Sequence, residues 1–212
     1  MPTPWNDDPP ASLPLIAQNV AVVATTIQAR ASARVQPTTA LAQDWHRMIY
    51  QGVPLPVAYY AGEIRDSDPA YPELIGYDIV VGGLPGVDHT QVPGELTTFE
   101  SGLRALCETF DRTISSRTAP TTASALAGVI RFSAFAHGEW VRIHPFANGN
   151  GRVARCWANF IALRYGLPAI ATIKPRPADL LYGQAARASM LGNHGPTQAL
   201  FAAFLSAAIA GP

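Results

Sequence analysis

The chain has little of what binds a protein to several common kinds of partner. Lys174 is its only lysine, and its 15 basic residues are matched by 15 acidic ones. No net field therefore draws it to nucleic acid or to a membrane surface. Cysteine is scarce. Cys107 and Cys156 are the only two, lie far apart without metal-ligand spacing, and read as buried thiols in a reducing compartment. The four histidines other than His144 include no pair at helical ligand spacing, which argues against zinc. No basic start followed by an apolar run opens the chain, and no run of about 18 apolar residues is seen. A secretory signal and a membrane span are thus not expected, and the location is read as cytoplasmic. Charged residues are only 14% against 48% hydrophobic, which excludes a disordered chain.

What is present is enough apolar sequence, over 212 residues, for one domain with a real core. Residues 1–14 form a Pro-rich tail or strap, and residues 15–210 a single domain. Helical periodicity places helices at about 14–34, 38–50, 93–116, 121–140, 150–165, 177–192 and 196–209. Between them, residues 57–92 are divided by Gly62, Pro69, Pro72, Gly76, Gly82, Gly83, Pro85 and Gly86, with the short β-prone run Asp78–Val81. That pattern predicts an inserted β-hairpin or loop excursion. The fold class is all-α, with core helices at about 121–165.

The chemistry is concentrated in His144-Pro-Phe-Ala-Asn-Gly-Asn-Gly-Arg-Val-Ala-Arg155. Pro145 takes His144 out of helical geometry and onto a loop. The run Asn148, Gly149, Asn150, Gly151 tolerates positive φ and can turn its N–H groups toward one point, and the helix that follows adds its positive end. Together they form an anion cradle. Arg152 and Arg155 add fork-shaped donors for phosphate oxygens. A neutral imidazole beside such a cradle can take a proton from an attacking hydroxyl.

This segment resembles the signature of the Fic (filamentation induced by cAMP) family, His-Pro-Phe-x-Asp/Glu-Gly-Asn-Gly-Arg-x-x-Arg, at eight of nine defined positions. His137, Trp140 and the segment Gly62-Glu63-Ile64-Arg65 followed by Val80-Val81 extend the likeness. The resemblance implies a Fic-fold helical bundle with a small flap hairpin. It also implies transfer of AMP from ATP to a Ser, Thr or Tyr hydroxyl of a target protein, with release of pyrophosphate. His144 would be the general base. Gly149, Asn150 and Gly151 would hold phosphates, Arg152 would neutralise them, and Arg155 would reach the terminal one. Gly62, Glu63, Ile64 and Arg65 would belong to the target-binding flap, and Tyr182 to a base pocket. Rival readings are a phosphotransferase or a transferase using another nucleotide donor on the same fold, and a binding module whose catalysis has decayed.

Asn148 is the departure. The family has there a carboxylate that helps hold Mg²⁺, whereas an amide oxygen coordinates without charge, so Mg²⁺ is expected to be weakly held. Fic proteins are also often restrained by a helix carrying Ser/Thr-x-x-x-Glu, whose glutamate pairs with the second motif arginine. None of Glu63, Glu73, Glu95, Glu100, Glu108 and Glu139 has Ser or Thr four positions earlier. Restraint is therefore expected from a separate, antitoxin-like protein or from low intrinsic activity. His137 is read as a structural residue behind the motif, His46 as a surface or interface residue, and Trp140, Phe146, Trp157 and Phe160 as core.

Overall fold

A computed structural model describes residues 2–116, 118–178 and 180–210. The apolar periodicities become seven α-helices among these residues: α1 (Leu13–Ser32), α2 (Thr39–Ile49), α3 (Val92–Thr113), α4 (Ala123–Ile143), α5 (Asn150–Arg164), α6 (Leu180–Met190) and α7 (Gly195–Ala210). In α1 the residues Ile16, Val20, Val23, Ile27 and Ala31 recur at three- and four-residue steps, and all five are buried. Full burial of each of its Ile and Val side chains contributes about 1.5–3 kcal/mol. The Thr122 hydroxyl caps α4 by accepting from the Ala125 N–H at 3.2 Å.

Helix α5 is the axis of the molecule. It is buried nearly all round, with α4, α1 and α2 packed against it. Trp45 of α2 meets Trp157 of α5 edge-on at 4.9 Å, and Phe99 of α3 bridges Trp157 and Trp140 at 5.6 Å from each. Trp140 in turn touches Phe146 at 5.6 Å, so the aromatic core reaches up to the motif loop. Trp140, Phe146, Trp157 and Phe160 are all fully buried, as the sequence indicated. Both cysteines are buried and unpaired.

Residues 57–92 are the loop excursion with a small hairpin that the turn residues predicted. They are mostly 3-10 turns and bends, and the strand pair is confined to β1 (Val80–Val81) and β2 (Leu84–Pro85), in register Val80↔Pro85 and Val81↔Leu84. The turn residues that divide this stretch leave no longer run to pair. The expectation that no run is long and apolar enough to span a bilayer is corrected at α1. With its preceding turn, Pro10–Ser32 forms a 23-residue helix apolar and long enough, by length and composition, to cross a bilayer. Gln, Asn and Thr interrupt the apolar run, but no charge does before Arg30. One face of that helix is built into the core described above.

Candidate functional site

His144 sits where α4 stops. Its backbone is left-handed (φ 52°, ψ 56°), as the C-cap of that helix, a costly conformation for a residue with a Cβ and one that needs outside support. Arg65 supplies it. Its side chain is 1% exposed, and Nε and Nη2 donate to the His144 carbonyl at 2.9 and 2.7 Å. Nη2 also reaches the Ile143 carbonyl at 3.2 Å. Nη1 donates to the Tyr77 carbonyl at 3.0 Å, and Nη2 lies 2.9 Å from the Val87 carbonyl as well. His144 Nδ1 lies 2.8 Å from the Val141 carbonyl. A carbonyl only accepts, so Nδ1 carries the hydrogen and Nε2 keeps a free lone pair. Burial pushes the imidazole down to about 4, opposed by the Val141 bond and aided by the Arg65 charge. The ring is therefore neutral near pH 7, in the tautomer a base requires.

The loop after His144 is closed by its own residues. Asn150, 1% exposed, accepts from the Phe146 N–H at 2.9 Å and donates to the Phe146 carbonyl at 2.8 Å. Its side chain clamps the loop, which leaves its backbone at the start of α5 for the cradle. Gly149 has φ 75°, and a Cβ there would come within 2.5 Å of the Tyr50 hydroxyl and 2.7 Å of His46 Nε2. Only glycine fits this conformation and this gap. A Cβ on Gly151 would meet nothing nearer than Arg155 Nη1 at 3.4 Å.

His46 was expected at the surface or an interface and is instead wholly buried within the chain. Its ring stacks on Phe146 at 3.9 Å and 5°. Nδ1 accepts from the Gly62 N–H at 2.9 Å, so Nε2 must donate to the Asn148 carbonyl, 3.1 Å away. Burial lowers its pKa to about 3. The signal was present in the sequence: Ala42, His46 and Ile49 share the apolar face of α2. His137 is fully buried as expected, 2.8 Å from the Tyr182 hydroxyl.

The two motif arginines, Arg152 and Arg155, are both buried at 5% exposure and differently engaged. Arg155 donates Nε and Nη2 to the Ile173 carbonyl at 3.0 and 2.8 Å and Nη1 to the Tyr182 hydroxyl at 3.0 Å. Tyr182 is itself 4% exposed, with Arg176 over its ring at 5.4 Å. Its hydroxyl thus supports Arg155 from behind. Arg152 faces the cradle, where it donates to the Tyr50 hydroxyl and meets Asp7 and Asp8, each at 2.5 Å.

Gly62, Glu63, Ile64 and Arg65 run from a turn through irregular backbone into a bend rather than along a strand. Gly62 touches the Arg47 side chain so closely that a Cβ would sit 2.4 Å from it, Glu63 pairs with Arg47 at 3.1 Å, and Arg65 is the buried anchor. The return of the hairpin also comes close to the His144 side chain. A Cβ on Gly86 would lie 3.3 Å from that of His144, and the Gly86 N–H donates to the Ile79 carbonyl at 2.8 Å. Beyond this pair the hairpin projects outward, with Val80 68% exposed.

Asn148 spends its amide locally. Nδ2 donates to the Trp5 carbonyl at 2.8 Å, and Oδ1 accepts from the Gly149 N–H at 2.9 Å.

Known proteins resemble this chain in sequence and in fold. The chain is 29% identical over 108 residues to the protein adenylyltransferase Fic of Drosophila melanogaster, and equally to that of Drosophila sechellia; each alignment takes in 50% of this chain and 21% of the relative. The chain thus spans about a fifth of the length of these curated relatives. Among solved structures, Fic-1 of C. elegans superposes with a TM-score of 0.63 at 20% identity, over 91% of this chain and 48% of that one. The BepC effector of Bartonella tribocorum, solved with bound AMPPNP, superposes at 0.60 and 16% identity, over 94% and 88%. At these identities the structures establish the fold. The Fic/DOC family model matches residues 36–162, from α2 through nearly all of α5, which takes in His144, the clamped loop and both arginines: the chain belongs to the Fic/DOC family.

Proposed function

We propose that this protein transfers AMP from ATP to a hydroxyl side chain of a target protein, releasing pyrophosphate. The observation that carries the reading is the forced tautomer of His144 beside a loop–helix cradle that holds Arg152. Nε2 takes the proton of the target hydroxyl as its oxygen attacks the α-phosphorus. The bond from that phosphorus to the oxygen bridging to the β-phosphate breaks, and the electron pair leaves on pyrophosphate. Backbone N–H groups of the first turn of α5 and the Arg152 guanidinium offset the charge that develops. Support for the adenylyl group comes from the named activity of the Drosophila relatives.

The exposed edge of β1 and β2 suits pairing with an extended target segment, main chain to main chain, beside His144. Mg²⁺ is commonly needed to neutralise nucleotide phosphates, but the motif offers it no carboxylate, and the Asn148 oxygen already accepts from Gly149. These residues do not form a built Mg²⁺ site, so no step is assigned to the ion. The two buried, unpaired thiols accord with a reducing compartment.

The test is to incubate the protein with each nucleoside triphosphate and Mg²⁺ or Mn²⁺, alone and with a cell extract, and read mass additions. An added AMP that disappears in His144→Ala supports the reading. A single added phosphate assigns phosphotransfer instead, and tight nucleotide binding without transfer under any condition leaves only a binding module.

A further inference from the structure

Residues 2–9 do not hang free; they cross the mouth of the cradle. Trp5 is the anchor. It is 6% exposed and sits against the rings of Tyr50 at 4.7 Å, His46 at 5.9 Å and Tyr60 at 5.9 Å. Thr3 is held at both backbone ends, its N–H on Glu73 at 2.7 Å and its carbonyl on the Tyr60 hydroxyl at 2.8 Å. Four and five residues on, Asp7 and Asp8 place one carboxylate on each terminal nitrogen of Arg152. Asp7 also accepts from the Tyr50 hydroxyl at 3.2 Å, and Asp8 pairs with Lys174, the chain's only lysine.

We propose that this strap is an intramolecular plug: Asp7 and Asp8 stand where phosphate oxygens would bind Arg152, and a nucleotide enters only when they leave. The proposal rests on the reading of the cradle as a nucleotide site. A guanidinium fork already filled by two carboxylates cannot also hold a polyphosphate, so every docked strap subtracts one competent site. The device differs from the glutamate helix described for the family in its residue type, in its extended form and in acting on the first motif arginine.

It also explains Asn148. The amide Nδ2 is the donor that latches the strap at the Trp5 carbonyl. A carboxylate in that position has no proton to offer the carbonyl and would add a third negative charge beside Asp7 and Asp8. The chain's one departure from the family signature is therefore the residue that fits the strap, and restraint requires no separate inhibitory protein.

The test uses Asp7→Asn/Asp8→Asn in the full chain, which leaves Trp5 seated, and a second variant lacking residues 2–8. Binding of inorganic tripolyphosphate and of ATP is measured by calorimetry, with circular dichroism confirming the fold. The expected result is affinity about ten- to hundredfold tighter in at least one folded variant, matching a strap docked about 90–99% of the time. In the wild type, ATP should speed hydrogen exchange of residues 3–8. Affinity no tighter in either folded variant overturns the plug, and weaker binding overturns it by making the aspartates helpers of the ligand. Failure of the functional reading looks different. Tighter tripolyphosphate binding with no His144-dependent transfer keeps the plug and sinks the transferase, and transfer without tighter binding does the reverse.

Discussion

Replacing His46 with phenylalanine separates its two roles, because the new ring can keep the stack on Phe146 while losing both hydrogen bonds. At pH 7 the Gly62 N–H and the Asn148 carbonyl are then left buried without their partner, at about 1–3 kcal/mol each, partly offset by burying a more apolar ring. The expected net loss is about 2–4 kcal/mol. The pH dependence is the sharper reading. Burial holds the His46 pKa near 3 in the folded protein, against about 6.5 in the unfolded chain. A depressed histidine pKa means the unfolded state binds the extra proton first. The histidine's penalty is absent well above pH 6.5 and grows as pH falls from there toward 3. Integrating that difference from pH 7 to pH 5 gives roughly 2 kcal/mol of wild-type stability lost through His46 alone. The variant cannot lose it. Urea unfolding at pH 7, 6 and 5 should therefore show the gap between wild type and His46→Phe narrowing by roughly 2 kcal/mol. A gap that stays constant with pH would refute the buried, neutral imidazole.

Four other substitutions probe the loop. Gly149→Ala forces a Cβ into left-handed backbone against Tyr50 and His46 and should lower stability by about 2–4 kcal/mol in thermal unfolding; Gly151→Ala, in helix and with room, should be neutral or stabilising, and equal effects at the two positions would contradict the loop geometry. Asn150→Ala orphans both backbone groups of Phe146 and should cost about 2–5 kcal/mol, with transfer in the mass assay falling in step even at temperatures where the variant stays folded. Asn148→Asp removes the donor to Trp5 and should raise hydrogen exchange at residues 3–8, together with an increase in Mg²⁺-dependent transfer; unchanged exchange would mean the amide does not latch the strap.

Helix positions were legible because apolar spacing is a local property: Ile16 through Ala31 write α1 onto the sequence, and Pro145 writes the end of α4. The motif announced His144 and the cradle for the same reason, since Gly149 and its neighbours are contiguous. What sequence spacing could not convey was the work done across distance. Arg65 looks like a flap residue and acts as a buried anchor for His144, 79 positions away. Tyr182 looks like a base contact and braces Arg155. His46 looked solvent-facing because histidine usually is, although its place beside Ala42 and Ile49 pointed inward. Asp7 and Asp8 read as tail charges, since nothing local ties them to an arginine 145 positions on.

Arg65 has a consequence for how the site comes into being. Its guanidinium is satisfied by four backbone carbonyls drawn from two segments, Ile143 and His144 on one side and Tyr77 and Val87 on the other, rather than by an acidic side chain. Those carbonyls converge only once both segments have docked. A half-folded chain can therefore contain the whole motif, helix α4 included, and still lack a seated His144, because the seat comes from outside the motif. Lysine could not substitute for it, since three donors on a point charge cannot span that spread of acceptors. The seating of His144 is in this sense a report that the tertiary structure around it is complete.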